Sequence, residues 1–415
     1  MYLCCMANLT LLNAWILQSG GWPAWLGDVG FGLLVFLPGA WISFGFPLKG
    51  IAFWARLCLA VVLSPSIVCA EFYAVRLIGI SFPSTAVLLV FLNLPAAYLV
   101  WRRRSPLANV QRGNWLVGAI AIVVPIVCLG SVLAHWDARI YSGHSWLHAD
   151  AVNMFIRGDL VPEDPTLAGV RMSYPVWTGL PFEAVHSYLT RSPAQSTYIW
   201  SDLFLLIAVC GFAAGIAREL GGGRAAQASS AILLLLGTNP VGYVLMQLVP
   251  LHSGHLLWGD ERYTPWVNKF ILFSPMALGI AIIMAILFLL VRPGPLSREV
   301  FILLALLLCG VGLFYPLLFP SACGVLCARA LADVTERPGW TWKTHGGQIL
   351  ALAGLVALAS LLTYAEVRFL TADRHASTGA VVLSKLPSAM RKAFAALVCR
   401  VGRWNCTTSL SQHRA

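Results

Sequence analysis

Residues 271–291 read ILFSPMALGIAIIMAILFLLV, without one charged side chain. At 1.5 Å per residue, a helix of this length reaches about 30 Å, the thickness of a bilayer's hydrocarbon core. A membrane β-barrel strand would instead alternate apolar and polar residues over about ten positions. Comparable runs recur at 29–47, 51–71, 83–101, 115–135, 199–217, 227–248, 300–316, 317–333 and 347–365. The composition agrees. The 415 residues are 59% hydrophobic and 11% charged, with a mean hydropathy of +0.77, whereas a soluble domain needs about 25% charged residues to cover its surface. The reading is an all-α, polytopic transmembrane helix bundle of about 9–11 spans.

Prolines modulate this plan. Pro38, Pro65, Pro95, Pro125 and Pro275 fall in or near spans and predict kinks. Pro316 and Pro320 interrupt 300–333, which predicts either two short helices or one broken helix lining a cavity. Most cysteines sit inside apolar runs (Cys58, Cys69, Cys128, Cys210, Cys309), where cysteine behaves as a small hydrophobe. Cys323 and Cys327 lie one turn apart, without the further ligands of a zinc set. The N-terminus lacks the basic region of a cleavable signal peptide.

The net charge of +11 follows membrane topology and implies no nucleic-acid partner. Lys49, Arg56, Arg102, Arg103, Arg104, Arg112, Arg218, Arg224, Arg292 and Arg298 fall on one side if spans alternate, and the positive-inside rule makes that side cytoplasmic. Two longer connections, 136–198 and 249–270, then face outward. Long ordered loops are usually functional. The division that results is a three-span extension over 1–114, a membrane core over 115–370 carrying the two outer loops, and a basic tail over 371–415. Span counting places that tail outside, and one fewer span within 300–333 would place it in the cytoplasm. Its segment 381–400 suits an amphipathic helix on anionic lipid.

The outer loop 136–198 contains HSWLHADAVNMFIRGDL, residues 144–160. On a helix, His144, His148, Ala151 and Phe155 share one stripe, and Trp146, Asp150, Asn153 and Arg157 share another. GDLVPEDPTLAG then predicts an ordered, non-helical excursion, and MSYPVW returns to the interface with Tyr174 and Trp177. His144 and His148 have the i, i+4 spacing of a metal pair, although such a pair on a helix is more often structural. Asp137, in HWDARIY, is either a solvated helix end or a carboxylate at a cavity mouth, where partial desolvation makes it a better base. Asp202, just inside the fifth span, is either a helix-terminal acid or a functional group. In DERYTPWVNKF, Arg262 and Lys269 either contact phosphate or anchor the seventh span at the headgroups. Asp260 and Glu261, with His252 or His255, offer ligands for a divalent ion such as Mg or Mn.

A span ending in an acid, an outer amphipathic helix, and the residues His148, Gly158, Pro162, Glu163, Pro165, Ala168, Gly169 and Tyr174 resemble the first large outer loop of the GT-C class. Protein O-mannosyltransferases and the lipid A aminoarabinose transferase belong to it. The resemblance covers about 115–300 best. It implies a bacterial inner-membrane, multi-pass enzyme that moves a sugar from a polyprenyl-phosphate-linked donor to an acceptor at the outer face. It further implies a carboxylate general base, Asp137 or Asp150. His144, His148, Arg157, Tyr174, Asp202, Arg262 and Lys269 would be its substrate contacts. His144 stands where several members carry an acid, and their soluble C-terminal domain has no counterpart here. The alternatives are therefore a catalytically inactive homologue, or a transporter or flippase for a lipid-linked or polar solute.

Overall fold

The computed structural model describes residues 24–48, 51–103, 115–135, 143–164, 167–172, 177–236, 274–292, 296–335 and 342–371. The chain begins with α1 (Ala24–Ser43), α2 (Phe53–Leu77), α3 (Phe82–Asn93), α4 (Ala96–Arg103), α5 (Trp115–His135) and α6 (Gly143–Arg157). A small antiparallel hairpin pairs β1 (Glu163–Asp164) with β2 (Leu167–Arg171). Then come α7 (Leu180–Thr190), α8 (Ala194–Glu219), α9 (Arg224–Leu236), α10 (Ser274–Val291), α11 (Arg298–Phe314), α12 (Phe319–Thr335) and α13 (Trp342–Thr371). Among the described residues the architecture is all-helical apart from that hairpin. Among the described residues, Trp25–Ser43, Phe53–Leu77, Phe82–Arg102 and Trp200–Glu219 are long and apolar enough to cross a membrane, which marks a membrane protein. Shorter apolar helices cover Leu116–Val127, Ala277–Val291, Phe319–Ala332 and Leu350–Leu361.

Close backbone approach organises the first pair. Gly39 of α1 lies against Ala60 of α2, and a Cβ there would stand 1.9 Å from the Ala60 carbonyl oxygen. The buried Ser64 hydroxyl joins the two helices, accepting from the Gly39 N–H at 2.9 Å and donating to the Ala60 carbonyl at 2.9 Å. Small residues that let backbones meet, with a hydroxyl across the seam, are how helices associate where water provides no drive. At the far end, Arg56 of α2 donates to the carbonyls of Ser43 and Phe46, both at 3.2 Å, and to that of Leu48. These carbonyls belong to the end of α1 and the turn after it, where a helix leaves acceptors unpaired and favours a cation.

α8 occupies the centre, packed by α2, α5, α6, α7, α9 and α10. Gly211 and Gly215 make this possible: a Cβ on Gly215 would meet the Phe288 and Trp54 rings at 2.9 Å. One continuous apolar core runs from Phe31 of α1 to Ala359 of α13. The proline-interrupted stretch 300–333 resolves into two helices. Tyr315 has φ −147° and ψ 74°, the extended backbone that a following proline imposes. A 3-10 turn over Pro316–Leu318 then leads into α12.

The largest departure from the sequence reading lies at 177–190, within the stretch taken as outer loop. A 3-10 turn over Trp177–Gly179 precedes α7. Residues Leu180–Ser187 and Leu189 are all buried, enclosed by α1, α2, α3, α6 and α8. Pro181 in the first turn and Glu183 just behind it suit a helix N-terminus. Arg191, with φ 57°, ends the helix in the left-handed conformation. At 11 residues α7 is about 16 Å long, too short to span a bilayer.

Candidate functional site

The turn Arg191–Pro193 folds α7 back onto α8. Glu183 lies seven residues before Thr190, and Ser201 lies seven residues after Ala194. Both therefore sit about 10 Å in from the turn. The Ser201 hydroxyl donates to Glu183 Oε2 at 3.1 Å. His186 Nδ1 is 3.6 Å from the same oxygen, and its ring stacks on Phe31 with centroids 3.4 Å apart and planes 5° from parallel. Asp202 follows Ser201 and is 0% exposed, and Glu183 is 3% exposed. Among the described residues, neither carboxylate oxygen of Asp202 has a hydrogen-bond partner.

Glu183 and Ser201 form the polar wall of a narrow cavity. The facing walls are apolar or backbone: Val61 and Pro65 of α2, Gly179, and Phe314 at the end of α11. The start of α7 is fixed from two directions. The Cys69 thiol donates to the Gly179 carbonyl and the Tyr73 hydroxyl to the Thr178 carbonyl, both at 3.5 Å. The Thr178 hydroxyl donates to the Leu313 carbonyl at 2.9 Å. Gly179 accommodates the Phe314 ring, which would be 2.1 Å from a Cβ. The break between α11 and α12 thus abuts the entry of α7.

α6 rests on α7 and α8. Its buried face carries His148, Ala149, Ala151, Val152 and Phe155, while Asn153 and Arg157 are exposed and Asp150 is half-buried. The helix ends at Gly158, whose φ of 116° favours glycine. Its carbonyl accepts from the Arg76 guanidinium, which also holds the Ile80 carbonyl. Asp159 adds an attractive charge beside Arg76. The hairpin follows, with the Met172 N–H donating to the Pro162 carbonyl at 2.9 Å.

Of the residues singled out from sequence, Asp150, His148 and Arg157 lie along α6, His144 lies in its first turn, and Asp202 lies in α8. Asp137, Tyr174, Arg262 and Lys269 fall outside the described residues, as do the loop 249–270 and its candidate metal ligands Asp260, Glu261, His252 and His255. Among the described residues, no three His, Cys, Asp or Glu side chains are grouped to hold a metal. The sequence reading passed over Glu183, His186, Ser201 and Arg76. The equal spacing of Glu183 and Ser201 about the RSP turn was the available signal. No protein-family model, curated protein or solved structure matches the chain.

Proposed function

We propose that the protein is a membrane glycosyltransferase of the GT-C kind, moving a sugar from a polyprenyl-phosphate-linked donor to an acceptor at the outer face. The observation that supports this reading is α6: an amphipathic helix after an apolar one, docked by its apolar face on α7 and α8 with Asp150 half-buried. In the reaction a carboxylate, Asp137 or Asp150, accepts the proton of the acceptor hydroxyl. The hydroxyl oxygen bonds to the anomeric carbon, the bond from that carbon to the donor phosphate breaks, and the configuration inverts. Arg262 and Lys269 would meet the charge left on the phosphate. The test is sugar transfer by membranes containing the protein, from a radiolabelled polyprenyl-linked donor. Asp137→Asn or Asp150→Asn should lower the rate about 10²–10⁴-fold, the usual worth of a general base. Full activity in both variants would remove the mechanism.

A second reading, a transporter or flippase for a lipid-linked or polar solute, draws on the Glu183–Asp202 pair. Acids enclosed within a bundle, beside interrupted helices, typify substrate and ion pathways. Uptake into proteoliposomes that is lost in Asp202→Asn and kept in Asp150→Asn would favour it.

A further inference from the structure

We propose that Glu71 of α2 is a proton-binding group of the membrane interior, held as a neutral carboxylic acid by Asn93 of α3. The inference stands apart from the transferase reading. The Asn93 amide Nδ2 donates to Glu71 Oε2 at 2.8 Å and to the Leu89 carbonyl of its own helix at 2.9 Å. Two acceptors fix the amide's orientation, because the reverse one would set Oδ1 against the Leu89 carbonyl. Asn93 is 1% exposed, and among the described residues its Oδ1 has no hydrogen-bond partner. A buried amide oxygen calls for a donor. Glu71, already bonded to that amide, becomes one when its second oxygen carries a proton. Acid and amide then complement each other: the amide N–H donates to Oε2, and the acid O–H on Oε1 donates to Oδ1.

The surroundings favour the neutral form. Glu71 lies six residues before the end of the apolar helix Phe53–Leu77, about 9 Å in, and Asn93 lies near the midpoint of Phe82–Arg102. A carboxylate at such a depth is expensive without a cation. Among the described residues no cation forms an ion pair with Glu71. Arg76 of the same helix stands five positions on, about 140° round the axis, and holds the Ile80 and Gly158 carbonyls. Arg56 is about four turns away and holds the carbonyls at the end of α1. Neither α1 nor α3 contains a Lys, Arg or His. The pair also has a mechanical setting. Asn93 is the last residue of α3, directly before the Leu94–Pro95 break that separates it from α4. The proton thus ties a broken apolar element to its neighbour.

The experiment is infrared spectroscopy of the purified full-length chain in detergent at neutral pH. A protonated carboxyl has a C=O stretch above the amide bands that shifts in D2O, whereas a carboxylate absorbs below them. The wild-type spectrum minus that of Glu71→Gln should show one protonated-carboxyl band. The same subtraction in an Asn93→Leu background should give that band at higher wavenumber, because the acid has lost both hydrogen bonds to the amide. A difference spectrum without an acid band, or with an acid band that Asn93→Leu leaves unmoved, overturns the proposal. Should either variant not fold, the wild-type protein in liposomes is treated with dicyclohexylcarbodiimide, an apolar reagent that adds to protonated carboxyls reached from lipid. Glu71 is half-buried and so within its reach. Modification of Glu71 at neutral pH, read by peptide mass spectrometry, supports the site, and an unmodified Glu71 overturns it.

Discussion

Gly39 and Gly32 lie about two turns apart on α1, yet adding a methyl group to each has opposite consequences. At Gly39 the new Cβ collides with the Ala60 backbone, whereas at Gly32 it meets nothing within 4 Å. Gly39→Ala should destabilise the protein by about 1–3 kcal/mol, the range for overpacking. Gly32→Ala should be neutral or stabilise by up to about 1 kcal/mol. Thermal unfolding of the two variants side by side measures the difference. The same seam predicts that Ser64→Ala, which removes the hydroxyl bridging the two helices, costs about 0.5–1.5 kcal/mol. At this scale the sequence reading was partly blind. Arg56 reads as a topology signal, a cation beside a span. In the structure it neutralises the carbonyl end of α1, because a helix terminus within reach competes successfully with water for a guanidinium.

Hydropathy made the long apolar elements legible, and every predicted span contains a helix. α7 was not legible. Its sequence, LPFEAVHSYLT, is too short and too polar for a span. Hydropathy registers composition, and cannot register that the Ser201 hydroxyl meets Glu183 once α7 lies against α8. The local signs of a helix, a proline in the first turn and an acid just after it, were present in a segment that length alone classed as loop. The way α7 is anchored yields a prediction at the scale of the element. Thr178→Val removes the hydrogen bond to Leu313 and should cost about 1 kcal/mol. Gly179→Ala should destabilise by forcing the Phe314 ring aside, and Phe314→Leu should recover part of the loss. The coupling measured in the double-mutant cycle is then expected at about 0.5–3 kcal/mol. A coupling near zero would mean that the α11 break and the start of α7 fold independently.

At the scale of the whole molecule, Arg76 is the polar tie between the end of α2 and the end of α6. Arg76→Met keeps the apolar stem and removes the hydrogen bonds. Amide protection over residues 150–158 should then fall in hydrogen exchange, while protection in α8 and α10 stays. Equal loss everywhere would show that Arg76 supports the entire bundle. The relation of the candidate site to the bundle was hidden in the sequence for a similar reason. Asp150 and Asp202 stand out as polar residues in or beside apolar runs, but which face each presents follows from packing among helices distant in the chain. Enclosure of α7 on all sides also constrains how the protein is made. A segment of 11 residues with a glutamate and a histidine does not partition into lipid by itself. During synthesis it must wait at the membrane surface until the hydrophobic pull of α8 draws the hairpin inward, against α1 and α2 already in place. Until then its acid and imidazole remain in water, and a nascent chain halted before α8 has emerged would leave them open to a protease added from that side.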